Sequence, residues 1–126
     1  MSRERLELGR LGEGLAADLL KKEGFRIIAK NYRTKLGEID IIARDRDTIC
    51  FIEVKTRNTA DFGLPQDAVS AHKQRQIAKA ALSFLKEKKL LDSKARFDVV
   101  SVVLENNHSK AELIKDAFEL DASFTY

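Results

Sequence analysis

Two acidic residues and a lysine stand in neighbouring β-branched, apolar runs of this sequence. Asp40 lies in the first run, and Glu53 and Lys55 lie at the end of the second. The composition of the runs, with a short polar stretch between them, predicts a β-hairpin. Because alternate residues of a strand share a face, Asp40 lies opposite Glu53 if the loop has two residues, and on a diagonal if it has four.

This arrangement predicts a pair of carboxylates about 5–8 Å apart. Their sequence neighbours are apolar, namely Ile39, Ile41, Ile52 and Val54. Two acids in such surroundings need a compensating cation, and Lys55 supplies one positive charge. Mg²⁺ or Mn²⁺ would supply the rest, because both ions prefer oxygen ligands. The alternative is an edge hairpin whose acids point outward and pair with Arg44 or Arg57.

The periodicity of the apolar residues predicts the elements that must position this pair. Gly24 is placed to end the first helix, and Ser70 to cap the second. Gly37 indicates a tight turn or a close backbone approach before the strand of Asp40. The predicted elements are a helix at 3–23, strands at 25–33, 39–43 and 48–54, a loop at 58–66, a helix at 70–91, a strand at 96–104, a polar loop at 105–110 and a strand at 111–118.

The predicted order is therefore αβββαββ, which places the chain in the α/β class. A hairpin followed by a helical crossover predicts a mixed β-sheet with helices packed against it. The length of 126 residues fits one domain spanning 1–126. Cys50 alternates with Glu53 along its strand and is expected to face the opposite side of the sheet, in the core.

The distribution of charge is more informative than the net charge of +3. Residues 26–57 hold eight Lys/Arg and five acids, whereas residues 105–126 hold two bases and five acids. A basic region that carries a few acids suits a polyanion together with a metal. Lys73, Arg75 and Gln76 begin the second helix, where backbone N–H groups favour phosphate. A solvated first turn of that helix is the alternative.

Several classes of protein are disfavoured by the composition. A single cysteine, Cys50, cannot form an internal disulfide, which favours a reducing compartment. No apolar run approaches the length of a membrane span, and residues 1–10 lack the apolar core of a signal peptide. We expect a cytoplasmic protein with no membrane partner. The sequence leaves a monomer and a homodimer equally open.

The residues considered so far carry a resemblance to a known group of proteins. Ile39-Asp40 followed by Glu53-Val54-Lys55 resembles the PD-(D/E)XK signature of restriction-endonuclease-like nucleases, with Ile39 where that superfamily has proline. The predicted order of elements is similar to the superfamily's core. More narrowly, the chain resembles the uncharacterised bacterial YraN family. The stretches that carry this likeness are Gly12-Glu13 with Ala16-Ala17, residues 31–43, and residues 51–57.

The resemblance implies roles for individual residues. Asp40 and Glu53 would hold the metal, with the backbone carbonyl of Val54 as a further ligand. Lys55 would orient or help to deprotonate the attacking water and stabilise the charge that develops on phosphorus. Glu13 resembles a helix-one glutamate of archaeal Holliday-junction resolvases and could reach the metal; a solvent-exposed acid or a salt bridge to an arginine is the alternative.

The leading hypothesis is a metal-dependent enzyme that hydrolyses phosphodiester bonds in DNA, including branched or processed DNA. Its candidate nucleic-acid-binding residues are Arg57, Lys73, Arg75 and Gln76. The rival hypothesis is a nucleic-acid-binding module of the same fold with little hydrolytic activity. A weaker third is a scaffold that meets a protein partner through the acidic tail. Two close acids that repel phosphate favour the enzyme, because a pure binder has no use for them.

Overall fold

The computed structural model describes residues 3–58, 69–105 and 107–119. In these residues the chain forms helices and strands in the predicted order αβββαββ. The predicted loop at 58–66 lies outside the described residues, apart from Asn58. The elements are α1 (Arg3–Lys22), β1 (Arg26–Arg33), β2 (Glu38–Asp45), β3 (Thr48–Arg57), α2 (Ala71–Glu87), β4 (Lys94–Glu105) and β5 (His108–Ile114).

The strands form a mixed sheet in the order β1-β2-β3-β4-β5. β3 and β4 run parallel, and the other neighbouring strands run antiparallel. A parallel pair needs a crossover, and α2 lies within the connection between β3 and β4. The mixed sheet flanked by helices that the sequence predicted is confirmed.

The sheet has an apolar core on each face, because each helix covers one of them. α2 packs through Ile77 and Phe84 against strand residues that include Phe51 and Phe97. α1 packs on the other face, with Cys50 in the same cluster. The α1 cluster is built from Ala16, Ala17, Leu20, Phe25, Ile41, Ala43, Cys50, Ile52, Val100 and Val102. Cys50 is fully buried and free, as predicted.

The hairpin between β2 and β3 has the shorter of the two loops that the sequence allowed. Asp45 pairs with Thr48, which leaves Arg46 and Asp47 as the loop. Arg46 has a φ of 59°, in the left-handed region that tight two-residue turns require. The register therefore brings Asp40 level with Glu53.

The helix boundaries were predicted best where a cap is visible in the sequence. Ser70 caps α2, and its Oγ accepts a hydrogen bond from the N–H of Lys73 at 3.1 Å. Gly24, with a φ of 92°, ends α1 as expected. α2 ends at Glu87 instead of residue 91, because Lys89 takes a φ of 58° and the N–H of Leu90 bonds back to Leu85 at 2.7 Å. This Schellman-like end lacks the usual glycine, so the sequence does not reveal it.

The predicted position of the last strand was wrong. β5 spans His108–Ile114 and pairs with β4 from Glu105 to Val99, so the stretch at 105–110 is not a polar loop. β5 is the edge of the sheet, and its side chains from His108 to Lys110 are exposed. Polar residues suit an exposed edge strand, which is why a reading based on apolar residues placed this strand too late. Neither described helix is long and apolar enough to cross a membrane.

Candidate active site

The pairing of β2 with β3 stops at the two acids. Ile41 and Ile52 form the last pair, and the next pair would be Asp40 with Glu53. In its place, the backbone N–H of Val54 donates a hydrogen bond to Oδ2 of Asp40 at 2.8 Å. The side chain of Asp40 thus takes the position of a backbone acceptor and holds the two strands together where the ladder ends.

The carbonyl of Val54 points the same way as its N–H. Within a strand, the N–H and C=O of one residue face the same neighbouring strand. The N–H of Val54 faces Asp40 on β2, so its carbonyl oxygen is directed to the same side of β3. A backbone acceptor is therefore directed to the side of the Asp40 carboxylate, which the predicted role of the Val54 carbonyl as a metal ligand requires.

Burial and mutual repulsion shape the protonation of the acid pair. Glu53 is only 8% exposed, and burial followed by the charge of Asp40 raises the pKa of Glu53 to about 8. Burial also raises the pKa of Asp40, opposed by the hydrogen bond from Val54 and by the charge of Lys73. Burial and the mutual repulsion of the two acids therefore favour retention of a proton by the pair.

Two lysines lie close enough to the pair to lower its pKa values. Lys55 follows Glu53 on the same face of β3, and its charge lowers the pKa of Glu53. Lys73, from the first turn of α2, lowers the pKa of both Glu53 and Asp40. The sequence assigned Lys73 only to a phosphate-attracting surface and did not connect it to the acids. The acids lie beside the start of α2, which the sequence did not anticipate.

Glu13 is brought toward the pair from the other helix. Burial raises the pKa of Glu13, and the charges of Asp40 and Glu38 raise it further. Glu13, Glu38 and Asp40 are thus near enough to repel one another. Among residues 3–58, 69–105 and 107–119, however, no three acidic, histidine or cysteine side chains are close enough to hold one metal ion. Glu13 is thus an electrostatic neighbour of Asp40, and its role as a metal ligand stays a prediction.

Two close backbone approaches fix the surroundings of the site. A Cβ on Gly37 would lie 2.5 Å from the carbonyl oxygen of Gln76, so the turn before β2 touches the backbone of α2. This confirms the close approach predicted at Gly37. A Cβ on Gly12 would meet the side chain of Thr56, so α1 lies directly on β3. The two glycines allow both helices to sit close to the strands that carry the acids.

The other candidate nucleic-acid-binding residues occupy different environments. Arg75 is exposed on α2, whereas Gln76 is half-buried and lines a cavity beside the turn of Gly37. Arg57 is half-buried on β3, and its Nη2 is buried without a hydrogen-bond acceptor in the described part of the chain. Arg57 lies two residues beyond Lys55 on the same strand face, so its guanidinium extends the row of cations that starts beside Glu53.

A second ionic cluster, at the far end of the same strands, was not predicted. Asp98 is fully buried and accepts hydrogen bonds from Nε and Nη2 of Arg96 and from the N–H of Asp116. Asp45 joins through Arg96 and Lys115. Arg96 and Asp98 are two residues apart in β4. Their partners in the cluster, Asp45, Lys115 and Asp116, come from distant parts of the chain. We assign this cluster to the anchoring of the segment that follows β5.

The sequence matches a family model over residues 12–102, a range that contains Glu13, Asp40, Glu53, Lys55 and Lys73. The model is that of the uncharacterised protein family UPF0102. The chain belongs to UPF0102. The resemblance to the YraN family is thereby confirmed.

Relatives within UPF0102 match almost the whole chain. A UPF0102 protein of Syntrophus aciditrophicus is 53% identical, over 93% of this chain and 92% of that protein. One from Geotalea daltonii is 53% identical over 90% of each chain, and one from Desulforapulum autotrophicum is 46% identical over 96% of this chain and 100% of its own. Among solved structures, the crystal structure of SSO0001 aligns with 17% identity and a TM-score of 0.45, covering 98% of this chain and 57% of the other. At that score the structural likeness carries no weight.

Proposed function

We propose that this UPF0102 protein is a metal-dependent nuclease that hydrolyses phosphodiester bonds in DNA, with Asp40, Glu53 and Lys55 at its catalytic centre. The observation that carries the proposal is the buried pair of Asp40 and Glu53, whose pKa values are raised by burial and which lies beside Lys55 and Lys73. Perturbed acids grouped with cations are typical of active sites and costly elsewhere.

The donor set fits a hard divalent cation. Asp40 and Glu53 offer carboxylate oxygens, and Val54 offers a carbonyl oxygen on the same side. Two carboxylates are sufficient for Mg²⁺, which usually retains water and takes further oxygen from substrate phosphate. Metal binding would displace a proton held by the pair. When bound, the ion would polarise the phosphodiester and lower the pKa of a bound water.

The chain's own groups supply the rest of the chemistry. Lys55, beside Glu53, orients the attacking water and stabilises the negative charge that builds on the phosphate oxygens in the transition state. The water oxygen bonds to phosphorus and gives up a proton to solvent, the bond from phosphorus to the leaving oxygen breaks, and the leaving oxygen takes up a proton from solvent, which leaves a phosphate monoester and a hydroxyl group. Lys73 neutralises the carboxylates, which otherwise repel the approaching phosphate. Glu13 adds negative potential on the α1 side of the pair.

The test is incubation of the pure protein with linear, flapped and four-way DNA in the presence of Mg²⁺ or Mn²⁺. We expect cleavage of at least one of these DNAs, dependent on metal and abolished by Glu53→Gln. The matched control is Asp47→Asn, which removes an exposed acid in the turn at the other end of the same hairpin. Metal-dependent cleavage that survives Glu53→Gln would contradict the proposal.

The second candidate function is a nucleic-acid-binding module with little hydrolysis. It is favoured by one observation: among the described residues, no three acidic, histidine or cysteine side chains are close enough together to hold one metal ion. DNA binding without cleavage across all these substrates and metals would favour this alternative.

A further inference from the structure

The two edges of the sheet differ in their regularity. On β1, the pairing with β2 shifts between Ile27 and Ala29, and Asn31 takes a φ of 52°, in the left-handed region. Such irregularities bend an edge strand and hinder its pairing with a further strand. β5, at the other edge, pairs with β4 without a shift from His108 to Ile114, and none of its residues has a positive φ.

The outer side of β5 has no strand beside it among the described residues. β5 has seven residues and contains neither a proline nor a bulge, so its outer backbone groups form a regular row of donors and acceptors. Proteins usually block such an edge, because an open edge pairs with a strand of another chain. β5, which lacks this protection, is therefore the candidate pairing edge.

The charges along β5 are complementary to the same strand in reverse. Lys110 and Glu112 flank Ala111, both are exposed, and neither forms an ion pair with another described residue. In an antiparallel pair of two β5 strands with a two-fold axis at Ala111, Lys110 of each copy lies opposite Glu112 of the other. One contact between two copies thus contains two ion pairs.

The same charges disfavour the neighbouring registers of such a pair. An axis at Lys110 would place the two copies of that lysine opposite each other, and an axis at Glu112 would do the same with the glutamate. Like charges directly opposite each other destabilise a sheet, whereas opposite charges stabilise it. Of these three registers, only the one centred on Ala111 pairs both charges of the strand.

A cavity of 410 Å³ lies beside the start of β5 and is lined in part by leucines. The leucines come from α1 and β4, and they are Leu11, Leu15 and Leu104. Leu11 is 53% exposed, so the cavity leaves apolar surface in contact with water. β5 contributes His108 and Ser109 to the lining.

The register centred on Ala111 brings an apolar side chain of the second copy to this cavity. Alternate residues of a strand share a face, and Ala111 and Leu113 pack on the α1 side of the sheet, so Ser109 also lies on that side. The register pairs Ser109 with Leu113 of the second copy. Leu113 of the second copy therefore lies at the rim of the cavity and covers apolar surface that a single copy exposes.

We infer that this protein forms a homodimer in which two copies pair antiparallel through β5, centred on Ala111. The five strands of each copy then join into one continuous sheet of ten. The contact uses the same surface of both copies, so it closes with two chains and does not extend into a fibre. The inference is independent of the proposed function, because β5 contains no residue of the proposed catalytic centre.

A strand of an unrelated protein is the alternative occupant of this edge. Backbone hydrogen bonds alone would suffice to bind it. Such a partner does not explain why Lys110 and Glu112 flank Ala111 symmetrically. It also does not explain why the register that pairs these charges directs Leu113 to the cavity. A second copy explains both features.

The test is the oligomeric state of the full chain, measured by sedimentation velocity over a concentration series. Lys110→Glu and Glu112→Lys each turn both ion pairs into like-charge contacts, so we expect each variant to weaken the dimer by about tenfold or more. An equimolar mixture of the two variants restores both ion pairs between unlike chains and should dimerise like the parent. A double variant that carries both changes should also dimerise like the parent.

Matched controls separate the proposed contact from a general effect of charge or apolar surface. Lys88→Glu and Glu23→Lys reverse exposed charges outside β5 and should leave the dimer unchanged. Leu11→Gln should weaken the dimer by about tenfold, because Leu11 lines the cavity that Leu113 covers. Leu82→Gln, an exposed leucine on α2, should not weaken it. Thermal unfolding of each variant, matched to the parent, shows that the fold is kept.

Three results would overturn the inference. The first is a parent that stays monomeric across the concentration series, which would leave the edge to a strand of another protein. The second is a dimer that neither charge reversal weakens, because its interface would then lie elsewhere. The third is loss of the dimer in both variants without recovery in their mixture, which would exclude the register centred on Ala111. Cleavage of DNA by a monomeric parent would support the proposed function and still overturn this inference.

Discussion

The backbone N–H of Val54 donates to Oδ2 of Asp40 at 2.8 Å, at the point where β2 and β3 cease to pair. This bond orients one carboxylate of the pair and leaves the Val54 carbonyl on the same side. The hydrogen bond thereby ties the Asp40 carboxylate, which would repel Glu53, to β3, the strand that carries Glu53.

Removing either carboxylate should weaken metal binding without unfolding the protein. Asp40→Asn and Glu53→Gln each remove a charged oxygen ligand, so we expect the affinity for Mg²⁺ or Mn²⁺ to fall by about tenfold or more. Asparagine still offers an oxygen to the N–H of Val54, so the strand contact can be kept. Calorimetric titration measures the affinity, and Asp47→Asn serves as the exposed control. Parent-like affinity in both variants would show that other groups bind the ion.

The metal-free protein should lose stability as the pH rises from about 4.5 to about 8. The pKa of Glu53 is raised to about 8 by burial and by Asp40, so the folded state keeps a proton that the unfolded state releases near pH 4.5. The stabilising proton is fully present below pH 4.5 and is lost as the pH passes 8. Urea unfolding should show a fall of about 2 kcal/mol or more across this range.

Glu53→Gln should reduce that fall, because glutamine does not ionise. The comparison is the difference in the free energy of unfolding between pH 5 and pH 8 in the parent and in the variant. The same pH dependence in both proteins would mean that Glu53 is not the titrating group.

Lys55→Ala should abolish cleavage while leaving the affinity for DNA close to that of the parent. The charge of Lys55 lies beside Glu53 and acts chiefly when negative charge builds in the transition state. We expect the single-turnover rate at saturating DNA to fall by about 10² or more. Arg75→Ala, which removes an exposed cation on α2, is the control and should weaken binding with little effect on that rate. Retained cleavage in Lys55→Ala would assign water activation to another group.

Alanine at Gly37 and at Gly9 should have opposite effects on stability. A Cβ at Gly37 would lie 2.5 Å from the carbonyl oxygen of Gln76, so the turn and α2 must separate, at a cost of about 1–3 kcal/mol. A Cβ at Gly9 meets nothing within 4 Å, and in the helix it should stabilise by about 0.5–1 kcal/mol. Chemical unfolding measures both. Stabilisation by Gly37→Ala would show that the contact with Gln76 yields easily.

Asp98→Asn should be strongly destabilising, although Asp98 is far from the proposed chemistry. The buried carboxylate accepts three hydrogen bonds, two of them from Arg96, so the variant removes the buried charge that compensates the half-buried guanidinium of Arg96. We expect a loss of about 3 kcal/mol in the free energy of unfolding. Asp47→Asn, which breaks an exposed pair with Lys94, should change it by less than about 1 kcal/mol. A loss below 1 kcal/mol in Asp98→Asn would mean that the cluster does not anchor the fold.

By itself, the sequence determined the order of the elements and narrowed the pairing of Asp40 with Glu53 to two registers, level or diagonal. Both depend on short-range rules, namely the alternation of side chains along a strand and the short loop between two β-branched runs. The end of α1 at Gly24 and the cap at Ser70 were readable for the same reason, since each depends on the chemistry of one residue. The sequence analysis placed β5 too late because the residues at the start of this edge strand are polar. It extended α2 too far because Lys89, in the left-handed region, stands where glycine usually marks the end of a helix.

Only the tertiary structure decided what surrounds the acid pair. Lys73 reaches Asp40 and Glu53 because the turn at Gly37 lets α2 pack directly against the start of β2. The charge of Asp40 acts on Glu13 because α1 lies directly on β3, where Gly12 contacts Thr56. Such placements arise from the packing of elements that are distant in the chain, and the sum of many side-chain contacts sets them. A local sequence pattern does not specify that sum of contacts.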